Sequence, residues 1–235
     1  MKRIKRFQTH RIVYFIFLAI VILEIIGASF SAGFAVTSEQ RDAALSNIFL
    51  GFLAVILFSV PWLLESRFKL NIPNYLEIII LFFLFGAIVL GNIHSLLVTV
   101  KGYDKFLHIV SGTLISIIGY EIIHSYNLSK SLDVRLSPGL LSIFAFCFSI
   151  TLLVLWEFYE FSIDTIAFNL NNDTLRNMQR YQWINESLIY PQPYGLMDTM
   201  LDLIVGSIGA LIVSLIGWRI VTHQQIKENK GVEVK

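Results

Sequence analysis

The chain has 235 residues, 55% of them hydrophobic and 15% charged, with a formal net charge of +1 and a mean hydropathy of +0.68. Those values lie outside the range of a soluble globular domain and define an integral membrane protein. The near-neutral charge offers no basic surface for nucleic acid, and the single cysteine, Cys147, excludes both a disulfide framework and a Cys-based metal motif.

The N-terminal MKRIKRFQTHR leads into an apolar stretch of about 20 residues without a small-x-small cleavage site, so it reads as a retained first helix rather than a signal peptide. A bilayer core of about 30 Å needs about 20 apolar residues at about 1.5 Å rise each. Six segments meet that requirement, at about 12–32, 45–65, 75–98, 105–125, 138–164 and 197–220. The expected fold is therefore all-α, a polytopic membrane protein forming a single membrane domain over residues 1–235. Caps and breakers separate the segments: Ser38 with Asp42, Asn71-Ile72-Pro73-Asn74, Lys101-Gly102-Tyr103-Asp104 and Ser137-Pro138-Gly139. Pro61 is expected to kink the inner end of the second helix.

With the N-terminus cytoplasmic, thirteen of the 18 Lys and Arg residues fall on the inner side. Five fall outside: Arg41, Lys101, Lys105, Arg176 and Arg180. This asymmetry places both termini in the cytoplasm. The long connection at 165–196 is then extracytoplasmic, and its aromatics Tyr181, Trp183, Tyr190 and Tyr194 suit an interfacial lid. Asn185-Glu186-Ser187 fits the glycosylation pattern only formally.

On this topology the ionisable residues converge. Asp104 and His108 open the fourth helix at spacing i,i+4 and share a face, with His108 about 6 Å deeper. Glu157, Glu160 and Asp164 close the fifth helix in WEFYEFSID, and Asp198 and Asp202 open the sixth, again i,i+4. Three helices thus bring these groups to one membrane level. Glu24 and His94 fall in the same half by residue count, while Glu121 and His124 lie toward the inner side. A charge near mid-bilayer costs at least about 2.5 kcal/mol, so Glu157 and Asp202 should face protein or water. For Asp104, Asp164 and Asp198 a helix-capping role is the plainer alternative.

So many carboxylates together call for protons or a cation. A divalent ion on Asp104, His108, Glu157, Glu160, Asp198 and Asp202 answers that need; the oxygen-rich set suits Mg²⁺, Mn²⁺ or Ca²⁺, and the imidazole favours Zn²⁺ or Mn²⁺. Gly112, Gly206, Ser207, Gly209 and Ala210 allow close helix packing nearby.

The order YDKFLHIVSG at Tyr103 to Gly112, Glu121, WEFYEFSID at Trp156 to Asp164 and DTMLDLIVGSIGA at Asp198 to Ala210 resembles the YjdF-like family of bacterial inner-membrane proteins, over about half the chain. More distantly it looks like the VanZ-like proteins, associated with glycopeptide tolerance, which share an Asp-x-x-x-His opening and a similar closing helix. Ser207 departs from the Asn expected there. The resemblance implies a multi-pass protein of the bacterial cell membrane, with Asp104, His108, Glu121, Glu157, Glu160, Asp198 and Asp202 at its motif positions.

Three functions fit these residues. The first is a metal-dependent hydrolase or transferase acting on a lipid or lipid-linked envelope substrate, with Glu157, Glu160 and His108 catalytic and one of the two glutamates as base. The second is a cation- or proton-coupled transporter. The third is a non-catalytic protein whose polar cluster joins helices.

Overall fold

The computed structural model describes residues 9–68, 72–128, 135–170, 178–179 and 193–232. Every regular element among them is helical: α1 (Thr9–Gly33), α2 (Ser38–Phe58), α3 (Val60–Phe68), α4 (Asn74–Leu84), a π-helical stretch (Phe85–Ile93), α5 (Leu96–Thr99), α6 (Tyr103–Leu128), α7 (Pro138–Asn169) and α8 (Tyr194–Val232). They make six spans long and apolar enough to cross a membrane, from Thr9–Gly33 to Gly195–Lys227. Their outward side chains, such as Phe15, Leu23 and Phe30 on α1 and Phe158 and Phe161 on α7, are exposed and apolar, as lipid contact requires.

The chain falls into two compact units: residues 1–103 with 166–177, and residues 104–165 with 178–235. In the first unit, Phe17, Val21, Ala54, Phe58, Leu81, Ile88 and Val89 form the core. Phe17 stacks on Phe85 at 4.3 Å between centroids and meets Phe82 edge-on at 4.9 Å. Thr37 caps α2, its hydroxyl accepting from Gln40 N at 3.2 Å, and the Gln40 side chain reaches back to accept from Val36 N at 3.1 Å.

The second span breaks between α2 and α3, at Ser59, two residues before Pro61. Proline has no N–H for the helical ladder, so the interruption falls where a kink is expected. The third span differs from a plain helix over 75–98. It turns π-helical at Phe85, ends at His94, and passes through Ser95 in the left-handed region at φ 60°. His94 Nε2 lies 3.0 Å from Glu24 Oε1, and at the other end of the same helices His10 Nε2 lies 3.8 Å from Glu77 Oε2. The first and third spans are thus tied at both ends by a histidine and a glutamate. Glu24 also lines a groove of about 590 Å³ along α1 and α2, beside Ser31, Gln40 and Asn47.

The second unit contains α6, most of α7, and α8. Pro138 opens α7, and Ser137 Oγ accepts from Leu140 N at 3.3 Å. The 32 residues of α7 span about 48 Å, longer than a hydrocarbon core, so the helix reaches well past one edge of it. α6 and α8 cross at Gly112 and Gly206, where a Cβ on Gly112 would strike the Gly206 carbonyl oxygen. Ser116 Oγ donates to Ala210 O at 3.3 Å across the same seam. α7 joins through Ser149 Oγ, which donates to Gly112 O at 3.0 Å. Small residues let the backbones approach, and hydroxyls then bond across helices where no water competes.

Candidate functional site

α6 opens after Gly102, whose φ of 78° is a turn conformation that glycine adopts without steric cost. Asp104 stands in its first turn, where the positive end of the helix favours a carboxylate. The next residue, Lys105, is the centre of the site. Its Nζ donates to Asp104 Oδ2 at 2.9 Å, to Asp198 Oδ1 at 2.7 Å and to Asp202 Oδ1 at 2.7 Å. The Asp202 side chain is only 1% exposed. One turn along α6, His108 Nε2 lies 3.5 Å from Asp104 Oδ1 and 3.7 Å from Asp202 Oδ1. The i,i+4 spacing on α6 and on α8 thus produces two facing pairs, with an ammonium between them.

α7 supplies the remaining carboxyl groups, and each has a different environment. Glu157 is 4% exposed, and neither carboxyl oxygen has a hydrogen-bond partner among the described residues. Thr199 lies beside it on α8, and His108, Asp104 and Asp198 are near enough to interact with its charge. Glu160 is also buried, and its Oε1 accepts from Trp156 Nε1 at 2.8 Å, an i,i+4 pair within WEFYE. Asp164 plays a structural part, its Oδ1 accepting from Met178 N and its Oδ2 from Gln179 N, both at 2.9 Å. Gln179 Nε2 in turn donates to Thr199 Oγ1 at 2.7 Å. The carboxylate therefore fastens residues 178 and 179 over the ends of α7 and α8.

Among the described residues, Asp104, Asp198, Asp202, Glu157 and Glu160 share one fixed cation, Lys105, and one imidazole, His108. That leaves an excess of negative charge to be met by protons or by a further cation. Asp104, His108 and Asp202 each offer a ligand atom within 4.8 Å of the others, a spread that fits the first shell of a divalent ion. In the structure, Asp198 is held by Lys105 and Glu160 by Trp156.

Lys105, which the sequence places only among the basic residues near the carboxylates, stands at the centre of the cluster. Its signal is its place inside YDKFLH, between an aspartate and a histidine of one helix face. Ser207, the departure from the closing pattern, bonds back to Leu203 O at 2.5 Å within its own helix. Glu24 and His94 pair in the first unit. Glu121 is exposed on α6, and His124 buries a ring Nδ1 without a partner among the described residues. Arg176, Arg180, Tyr181, Trp183, Asn185 to Ser187 and Tyr190 lie outside the described residues, and the expected aromatic lid with them.

Six apolar spans and a buried acidic cluster among three of them define a multi-pass membrane protein with an ionisable interior site. The family model described as "Predicted membrane protein (DUF2238)" matches residues 18–223, and the chain belongs to that family. The YjdF-like resemblance of its motifs agrees with this membership. Neither a curated protein nor a solved structure matches the chain.

Proposed function

We propose that the protein is a metal-dependent hydrolase or transferase of a bacterial cell membrane, acting at the outer leaflet on a lipid or lipid-linked envelope substrate, with both termini cytoplasmic. The observation that carries this reading is Glu157, a buried carboxyl group with no partner for either oxygen among the described residues, beside the Asp104–His108–Asp202 triad. An unpartnered polar group costs about 1–3 kcal/mol of desolvation, more when charged, so a structure that keeps one there points to a ligand or a proton to be handled. The triad would hold the divalent ion, which when bound supplies a Lewis acid for a phosphoryl or carbonyl oxygen. Glu157 takes the proton of the attacking hydroxyl as general base and returns it to the leaving group. Glu160, fixed by Trp156, keeps a second carboxyl group behind it. The Asp-x-x-x-His opening shared with VanZ-like proteins supports an envelope substrate.

A second reading has an observation of its own. Two of the salt bridges to Lys105, from Asp198 and Asp202, join α6 to α8, as a purely structural cluster would. One experiment separates the two. The purified protein and a Glu157→Gln/Asp202→Asn double variant are analysed for bound metal. Wild type and Glu157→Gln are then reconstituted in bacterial phospholipid extract with Mn²⁺, and the lipid products are followed by mass spectrometry. The enzyme reading expects about one metal per chain in the wild type and none in the double variant, with Glu157→Gln lowering turnover about a hundredfold or more. A metal-free wild type, or full turnover in Glu157→Gln, would refute it.

A further inference from the structure

The site's internal cation and its proposed metal draw on the same carboxylates, Asp104 and Asp202. Lys105 Nζ lies 2.7 Å from Asp202 Oδ1, and that oxygen is also the one facing His108 Nε2 at 3.7 Å within the triad. A divalent ion on Asp202 Oδ1 would stand about 2.0–2.6 Å from it, and so in the immediate neighbourhood of the ammonium bonded to the same oxygen. The two cations repel at that range, and a carboxylate oxygen buried to 1% exposure has no water to screen them.

We infer that Lys105 is a displaceable counter-cation: it offsets part of the aspartates' charge while the metal is absent, and metal binding drives it out to bind an anionic group of the substrate, most simply a phosphate, next to the metal. This rests on the metal-site reading above. Three features support the exchange. Lysine carries its charge on four flexible methylenes, so the ammonium swings without moving α6. Its side chain is 20% exposed, so it is not sealed within the helix packing. Asp198, which holds the lysine from α8, is outside the triad, so the triad keeps all its ligand atoms once the lysine leaves. Because the released ammonium stays tethered to the residue after Asp104, its charge arrives beside the metal as a second contact for a phosphate, the pairing that phosphate sites use. Substrate binding is thereby made conditional on metal.

The test measures binding, not turnover. Detergent-purified wild type, Lys105→Met, Lys105→Arg and Asp198→Asn are titrated with Mn²⁺, free ion being read from its electron paramagnetic resonance signal. Inorganic phosphate is then titrated with Mn²⁺ present, and its binding is read from ³¹P line broadening. Lys105→Met is expected to bind Mn²⁺ about tenfold tighter or more than wild type and to lose its phosphate affinity by about tenfold. Lys105→Arg keeps the competing charge and stays near wild type for Mn²⁺. Asp198→Asn loosens the hold on Lys105 with the triad intact, so it gains Mn²⁺ affinity too, and it decides the matter where Lys105→Met fails to fold. Wild-type binding with no gain in either variant overturns the exchange and leaves the metal site standing. An absence of Mn²⁺ binding in all four proteins overturns both.

Discussion

Lys105 offsets part of the charge of Asp104, Asp198 and Asp202, and its removal measures what that is worth. Breaking a buried ion pair from one side leaves the partner charge uncompensated and costs about 3–5 kcal/mol. Lys105→Met should therefore melt well below wild type in chelator, as followed by loss of helical circular dichroism in detergent, and Mn²⁺ should return most of the difference. Asp164 makes a contrasting case. Its two oxygens accept backbone N–H bonds from Met178 and Gln179, so Asp164→Ala should speed amide hydrogen exchange at those two positions while leaving Mn²⁺ binding unchanged. At this scale Asp104, His108, Glu157 and Asp202 are legible in the sequence, because ionisable groups in apolar helices at i,i+3 or i,i+4 spacing are expected to face protein or water and not lipid. The role of Lys105 is not, since a flexible stem reaches one of several directions and only the positions of Asp198 and Asp202 decide which. The sequence sets Asp164 apart as a capping candidate, but not the partners that hold it, which depend on where residues 178 and 179 return.

Among the elements, the crossing of α6 and α8 sets the geometry of the triad. Gly112 follows His108 by four residues and Gly206 follows Asp202 by four, so the point of closest approach lies one turn beyond each ligand. A methyl group at Gly112 meets backbone, the Gly206 carbonyl oxygen, and backbone cannot rotate aside. Gly112→Ala should destabilise the protein by about 1–3 kcal/mol through overpacking and, by spreading the two helices, weaken Mn²⁺ binding. Gly139→Ala near the start of α7, where a Cβ meets nothing within 4 Å, is the control and should change neither. Melting temperature and Mn²⁺ titration together check the pair. The small-residue pattern of GSIGA was readable as close packing, and the spans were readable by length. The π-helical turn from Phe85 to Ile93 was not, because a widened turn changes the register of a helix without changing how apolar it is. Its Asn92 side chain bonds Ala87 O at 3.1 Å, five residues back, a contact that follows the wider turn rather than announcing it.

For the whole molecule, the outer-leaflet assignment depends on the excess of Lys and Arg, thirteen against five of 18, on the side of the termini. The cluster occupies the opening turns of α6 and α8 and the closing half of α7, where Glu157 stands 19 residues past Pro138, about 28 Å along the helix. Ser137, at the start of α7, and the cluster therefore belong to opposite edges of the bilayer, and locating Ser137 locates the site. In a Cys147→Ser background, single cysteines at the exposed positions Ser38, Ser66 and Ser137 can be offered a membrane-impermeant maleimide on intact cells. Labelling is expected at Ser38→Cys at once, and at Ser66→Cys and Ser137→Cys only after permeabilisation. The reverse pattern would turn the carboxylates toward the cytoplasm, remove the envelope substrate from consideration and make the inner leaflet the place to look. The metal exchange at Lys105 would survive that reversal, because it depends on distances within one helical unit and not on which face of the membrane the unit opens to.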